Sequence, residues 1–173
     1  ALRQEAAEFT DRDNGLMLPF VVAKGETPKG PSLDIFGDQV TILISGKDTG
    51  GKYTFMHGVT PPKGGPPLHV HLTDSEVFHV LSGSFLFVLD GQRVEAGQGA
   101  TVFIPAGVSH QYQNVGDEPG ELFLFVEPAG LDDFFIELDA LLKAGGAADM
   151  GAIAQLHAKY RMDLQGPPLA TMG

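Results

Sequence analysis

Three histidines and one glutamate, His69, His71, Glu76 and His110, stand close enough along the chain to share one ion. His69 and His71 are separated by one residue. On a β-strand, where side chains alternate with a period of two, both point to the same face. Asp74 and Ser75 interrupt the apolar pattern, so Leu72–Ser75 reads as a bend and Glu76 as the opening of the next strand, Glu-Val-Phe-His-Val-Leu, which ends at Ser82-Gly83. The carboxylate can then turn back onto the histidine pair. The fourth ligand comes from a buried-looking strand after Gly99, a turn at Pro105-Ala-Gly107, and a second strand carrying His110, Tyr112 and Asn114 on one face.

That set constrains the chemistry. Three imidazoles and a carboxylate, in a chain with no cysteine, suit Mn, Fe, Co, Ni, Cu or Zn better than Mg or Ca, whose sites are built from oxygens. Such a site keeps a small positive charge on the ion. It admits one anionic ligand, such as an enolate, and leaves a position for water or dioxygen.

The elements that would position these ligands are mostly strands. Gln39–Ser45, Lys52–Val59, Thr101–Ile104 and Glu121–Glu127 are strand candidates, and Ser84–Val94 reads as a hairpin turning at Asp90-Gly91. Their spacing predicts a sandwich or barrel. From Leu131 the period becomes helical, and Asp149–Tyr160 is a second helix after an Ala/Gly-rich break. Phe134, Phe135 and Leu138 read as packing residues of the first helix. Residues 1–32, with Pro19, Pro28 and Pro31, form an arm, 33–128 the barrel, and 129–173 a helical tail of one domain.

Composition excludes several classes. The 173 residues carry a net charge of −11 and no basic run, which argues against nucleic acid or an anionic membrane as partner. A hydrophobic content of 43% suffices for one real core. The lack of cysteine and of a signal or spanning segment leads to the expectation of a cytoplasmic protein.

The two blocks His69-x-His71-x4-Glu76-x6-Gly83 and Gly99-x5-Pro105-x-Gly107-x2-His110-x3-Asn114 resemble the paired motifs of the cupin superfamily, with Ser84–Gln98 between them. The first block departs once: the leading glycine of the family falls at Lys63, with Gly64 and Gly65 just after it. The resemblance implies an all-β fold, the double-stranded β-helix or jelly-roll barrel, here with a C-terminal pair of short α-helices. It also implies a homodimer, since single-domain cupins commonly exchange N-terminal strands.

Within that superfamily the chain is most similar to single-domain quercetinases, which open the central ring of a flavonol with dioxygen and release carbon monoxide. The similarity implies that Glu76 serves as ligand and as the base that takes the substrate proton. Strand alternation places Phe78 and Tyr112 on the ligand-bearing faces, and Phe55 and His57 form a third row, so these four are the expected contacts of a small hydrophobic enolic or phenolic substrate. His79 falls on the face opposite Glu76, and His157 reads as structural. Two other functions share the same motifs: an oxygen-independent metal-cupin isomerase, cyclase or lyase, and a non-enzymatic small-molecule-binding module.

Overall fold

A computed structural model describes residues 19–145 and 149–171; most of the N-terminal arm therefore lies outside the described residues. Among the described residues, ten strands precede the helices: β1 (Leu33–Ile35), β2 (Asp38–Ile44), β3 (Thr54–Thr60), β4 (Pro67–His71), β5 (Ser75–Ser82), β6 (Ser84–Leu89), β7 (Gln92–Gly97), β8 (Thr101–Ile104), β9 (His110–Asn114) and β10 (Gly120–Glu127). Helices α1 (Leu131–Lys143) and α2 (Met150–Lys159) follow, then β11 (Met162–Pro168) and a single 3-10 turn, Leu169–Thr171.

The strands form two sheets, one of six in the order β1-β2-β3-β10-β5-β8 and one of five in the order β11-β4-β9-β6-β7. They pack face to face as a jelly-roll sandwich. The ladders do not run round into one closed barrel, which refines the expectation: a sheet face with alternating apolar residues is satisfied by a second sheet about 10 Å away as well as by closure.

Alternation along each strand decides which residues fill the space between the sheets. Glu76, Phe78 and Val80 of β5 are buried, and the register carries the same face to Val126, Leu124 and Leu122 of β10 and to Thr54, Met56 and Gly58 of β3. From the other sheet, Phe85 and Phe87 of β6 pair with Asn114 and Tyr112 of β9. Phe85, Phe87, Val80 and Val126 are wholly buried, as close packing of an interior requires.

Two glycines are fixed by close approach. Gly65 has φ 146°, and a Cβ there would lie 2.0 Å from the Tyr112 carbonyl oxygen. The loop before β4 thus rests on β9, with Gly65 at the closest approach and Lys63 N donating to the Asn114 carbonyl at 2.9 Å. Gly83, between β5 and β6, has φ 88° and would place a Cβ 2.8 Å from Gly120 Cα. The Asp90-Gly91 turn between β6 and β7 has φ of 46° and 80°, the left-handed pair that a two-residue hairpin demands.

The helices pack beside the edge strands, α1 against β1 and α2 against β11. Leu131, Phe134 and Leu138 of α1 and Ile153 of α2 are buried in the same core as the sheets, as the amphipathic pattern predicts. Asp149 caps α2 by accepting from Ala152 N at 2.9 Å. The tail is not helical to its end. Met162–Pro168 is an edge strand beside β4, with Met162 opposite His71 and Leu164 opposite His69. Gly166-Pro167-Pro168 hides it in the sequence, because proline cannot donate to a ladder; an edge tolerates it.

Candidate metal centre

His69 and His71 project from β4 and His110 from β9, with His69 and His110 in direct register. Glu76, carried by β5 across the bend after His71, enters from the opposite sheet. One ligand atom from each of the four lies within 4.8 Å of the others. All four are buried: His69 is 9% exposed, His71 3%, Glu76 2% and His110 1%.

The ring orientations are fixed from behind. His69 Nδ1 donates to the Pro67 carbonyl at 2.8 Å, and His110 Nδ1 to the Val108 carbonyl at 2.9 Å. His71 Nδ1 faces Asp74 Oδ2 at 3.4 Å. Each backing contact leaves Nε2 free to offer its lone pair inwards.

Glu76 Oε2 and His110 Nε2 approach to 2.7 Å, yet neither atom has a hydrogen-bond partner of acceptable geometry. Two buried polar atoms aimed at a common point and left unsatisfied are costly without an ion to share. The donor set therefore fits a transition metal.

The electrostatics agree. Burial lowers the His69 pKa to about 3, with His110 adding to the effect, so the ring is a neutral ligand. Burial opposes ionisation of Glu76, but His71 and His110 outweigh it and bring the carboxyl down to about 2. The His71 pKa moves up: burial opposes the charged ring, and Glu76 and Asp74 overcome that opposition.

Residues 56–127 match the model of the cupin domain family. That segment is similar to a cupin domain. Its ligand block and its second motif both fall inside that match. Over 70 residues, 40% of the chain, it is 31% identical to an uncharacterised protein of Methanocaldococcus jannaschii. Over 114 residues, 65% of the chain, it is 29% identical to the quercetin 2,3-dioxygenase of Bacillus subtilis. These matches span 56% and 32% of the two relatives. Among solved structures, the predicted oxalate decarboxylase of Thermotoga maritima superposes with a TM-score of 0.57 at 24% identity, over 63% of this chain and 99% of that one; the likeness is one of fold.

The other expected site residues separate into two groups. Phe78 and Tyr112 face inwards, their rings 5.5 Å apart, and each is also 5.5 Å from Phe87. Phe55 and His57 do not. They sit opposite Phe125 and Phe123 in the β3–β10 register, on the outer face of the six-stranded sheet, because β3 turns Thr54 and Met56 inwards instead. His57 pairs with Glu121 at 3.0 Å. His79 also lies outside, as expected, against Thr101. His157 is buried with Nδ1 on the Ile153 carbonyl at 2.8 Å, a packing role.

Two residues that sequence reasoning passed over bear on the site. Asp74, read only as part of a bend, is the acceptor behind His71, and its position three residues after that ligand was the available signal. Asp74→Ala is expected to weaken metal binding by about tenfold to a hundredfold while His79→Ala leaves it unchanged, as measured by competition against a chelator. Equal affinities for Asp74→Ala and the parent would remove Asp74 from the centre.

Asp38 is the second. It accepts from Tyr112 Oη and Thr60 Oγ1, each at 3.3 Å, and burial raises its pKa from 3.8 to about 6. The folded chain holds this proton more tightly than the unfolded one, so the contribution is present at low pH and lost as pH rises through 6. Asp38→Asn should therefore gain stability over the parent between pH 4 and pH 7, by up to about 3 kcal/mol. Urea unfolding at several pH values measures it, and a difference independent of pH would contradict the assignment.

Proposed function

We propose that this chain is a metal-dependent dioxygenase that opens the ring of a flavonol or a similar enolic aromatic, using His69, His71, Glu76 and His110 as ligands. The convergence of these four buried side chains within 4.8 Å carries the reading, and the similarity to a quercetin 2,3-dioxygenase supports it. A divalent ion of the Ni, Co, Mn, Fe, Cu or Zn type held there would supply Lewis acidity to the enol oxygen, and any of these except Zn would also offer electrons a path to dioxygen.

The chain's own residues do the rest. Glu76 accepts the substrate hydroxyl proton at a carboxylate oxygen. Phe78 and Tyr112 present an apolar, aromatic wall to a flat substrate. Pro67, Val108 and Asp74 hold the three imidazoles in one tautomer, and burial keeps bulk water from the reacting atoms. In this reading the protein acts as a homodimer.

One observation favours a second reading. Phe78, Phe87 and Tyr112 meet ring to ring directly behind the ligands, a packing that suits a substrate smaller than a three-ring flavonol. An oxygen-independent isomerase or lyase on a small metabolite is consistent with that.

Dioxygen uptake with quercetin decides between them. Chelator-stripped protein is reloaded separately with Ni, Co, Mn, Fe and Cu. Uptake that depends on one metal and disappears in His69→Ala supports the dioxygenase; full metal loading with no uptake for any ion overturns it.

A further inference from the structure

Among the described residues, five buried side-chain atoms have no hydrogen-bond partner: Thr54 Oγ1, Glu76 Oε2, His110 Nε2, Gln111 Oε1 and Asp132 Oδ1. Glu76 and His110 belong to the metal centre. Gln111 follows His110 on β9 and so points to the opposite face of that strand. Asp132 places its other oxygen on Gly46 N at 2.8 Å. Thr54 differs from all of these. It is wholly buried, its hydroxyl is its one polar side-chain group, and that hydroxyl is idle, which native interiors rarely tolerate without a ligand or water to meet it.

The place of Thr54 in the fold says what meets it. The sheet register runs from Thr54 of β3 through Val126 of β10 to Glu76 of β5, and all three are buried on the inner face. Thr54 and Glu76 therefore stand in one cross-strand row, two strand spacings or about 10 Å apart at Cα. Val126 between them carries no polar atom. A carboxylate reaching in from one side and a hydroxyl from the other span that gap with one small ligand between them.

The donor inventory of the centre points the same way. His69 and His110 turn their N–H groups back to the Pro67 and Val108 carbonyls, and His71 turns Nδ1 to Asp74. An ionised Glu76 only accepts. The neighbouring inner-face residues Met56, Phe78 and Ile104 are apolar, and Tyr112 donates to Asp38. The O–H of Thr54 is left as the uncommitted donor. Branching at Cβ restricts its χ1, so the donor is held in place before any ligand arrives. We propose that Thr54 Oγ1 donates a hydrogen bond to the oxygen of the small ligand, a water or an enolate or carboxylate anion, that completes the centre beside Glu76. The inference rests on the metal-centre reading and holds for the dioxygenase and the isomerase alike.

The test uses the full chain loaded with Co(II) and the probe acetohydroxamate, which binds ions through a deprotonated hydroxyl oxygen; the visible absorption of the cobalt reports its affinity. Thr54→Val keeps the shape of the side chain and removes the donor. It is expected to hold cobalt as tightly as the parent in chelator competition and to bind the probe about tenfold or more weakly. Thr54→Ser should recover most of that affinity, and Thr54→Ala set against Thr54→Ser gives the same comparison if the valine variant does not fold. Equal probe affinity with and without the hydroxyl overturns the assignment and leaves the four ligands standing. Cobalt and probe affinities that fall together overturn it too, because the hydroxyl then supports the fold of the centre rather than its ligand. A parent that takes up no cobalt overturns the metal centre itself, and the role of Thr54 with it.

Discussion

Glu76→Gln is expected to keep its metal within about tenfold of the parent and to lose roughly a hundredfold to ten-thousandfold in turnover. The amide still offers a carbonyl oxygen to the ion but cannot accept a proton. Burial alone pushes the Glu76 carboxyl up, and the neighbouring His71 and His110 outweigh burial and bring it down to about 2. With an ion bound, its positive charge also holds the carboxylate ionised, so Glu76 takes the proton on an oxygen that has left the ion. Single-turnover kinetics on variant and parent at matched metal content measure the effect. A fully active, metal-loaded Glu76→Gln would remove the base role and leave the ligand set intact.

Metal removal should cost much of the chain's stability. Any ion that binds the folded cluster and not the unfolded chain stabilises by mass action, about 4 kcal/mol at a thousandfold excess over its dissociation constant. For a chain of this size that corresponds to a rise in Tm of roughly 8–16 °C. The apo protein also leaves Glu76 Oε2 and His110 Nε2 buried and unsatisfied, a cost the ion relieves. Thermal melts with and without chelator should differ by that amount in the parent and by almost nothing in His110→Ala. Equal melting temperatures for the parent in both conditions would mean that the four residues hold no ion tightly.

Much of this site was legible from spacing alone. A period of two places His69 beside His71 and Glu76 beside Phe78, and the chain contains no thiolate to offer another ligand set. Thr101–Ile104 matches its expected bounds and the first helix its expected start at Leu131, because turn residues and a change of period mark them. The facing of β3 was not legible. Tyr53, Phe55 and His57 make as good an inward row as Thr54 and Met56, and only the register with β10 shows that Met56 meets Leu124 on the inner face. The aromatic row stays half-exposed on the outside, where sequence hydrophobicity cannot distinguish a core from an interface. Asp38 and Asp74 were also hidden, since their roles come from partners many residues away or from one side-chain rotamer.

The edge position of β11 bears on when the centre can exist. Met162 and Leu164 stand opposite His71 and His69, and both follow the two helices in the chain. During synthesis, the ligands and the sheets that carry them leave the ribosome well before the strand that walls them in. A nascent chain finished only through β10 presents its histidine strand to water, with one side of its ladder unpaired. The strand that flanks the two histidines is therefore in place only after translation has passed Leu164.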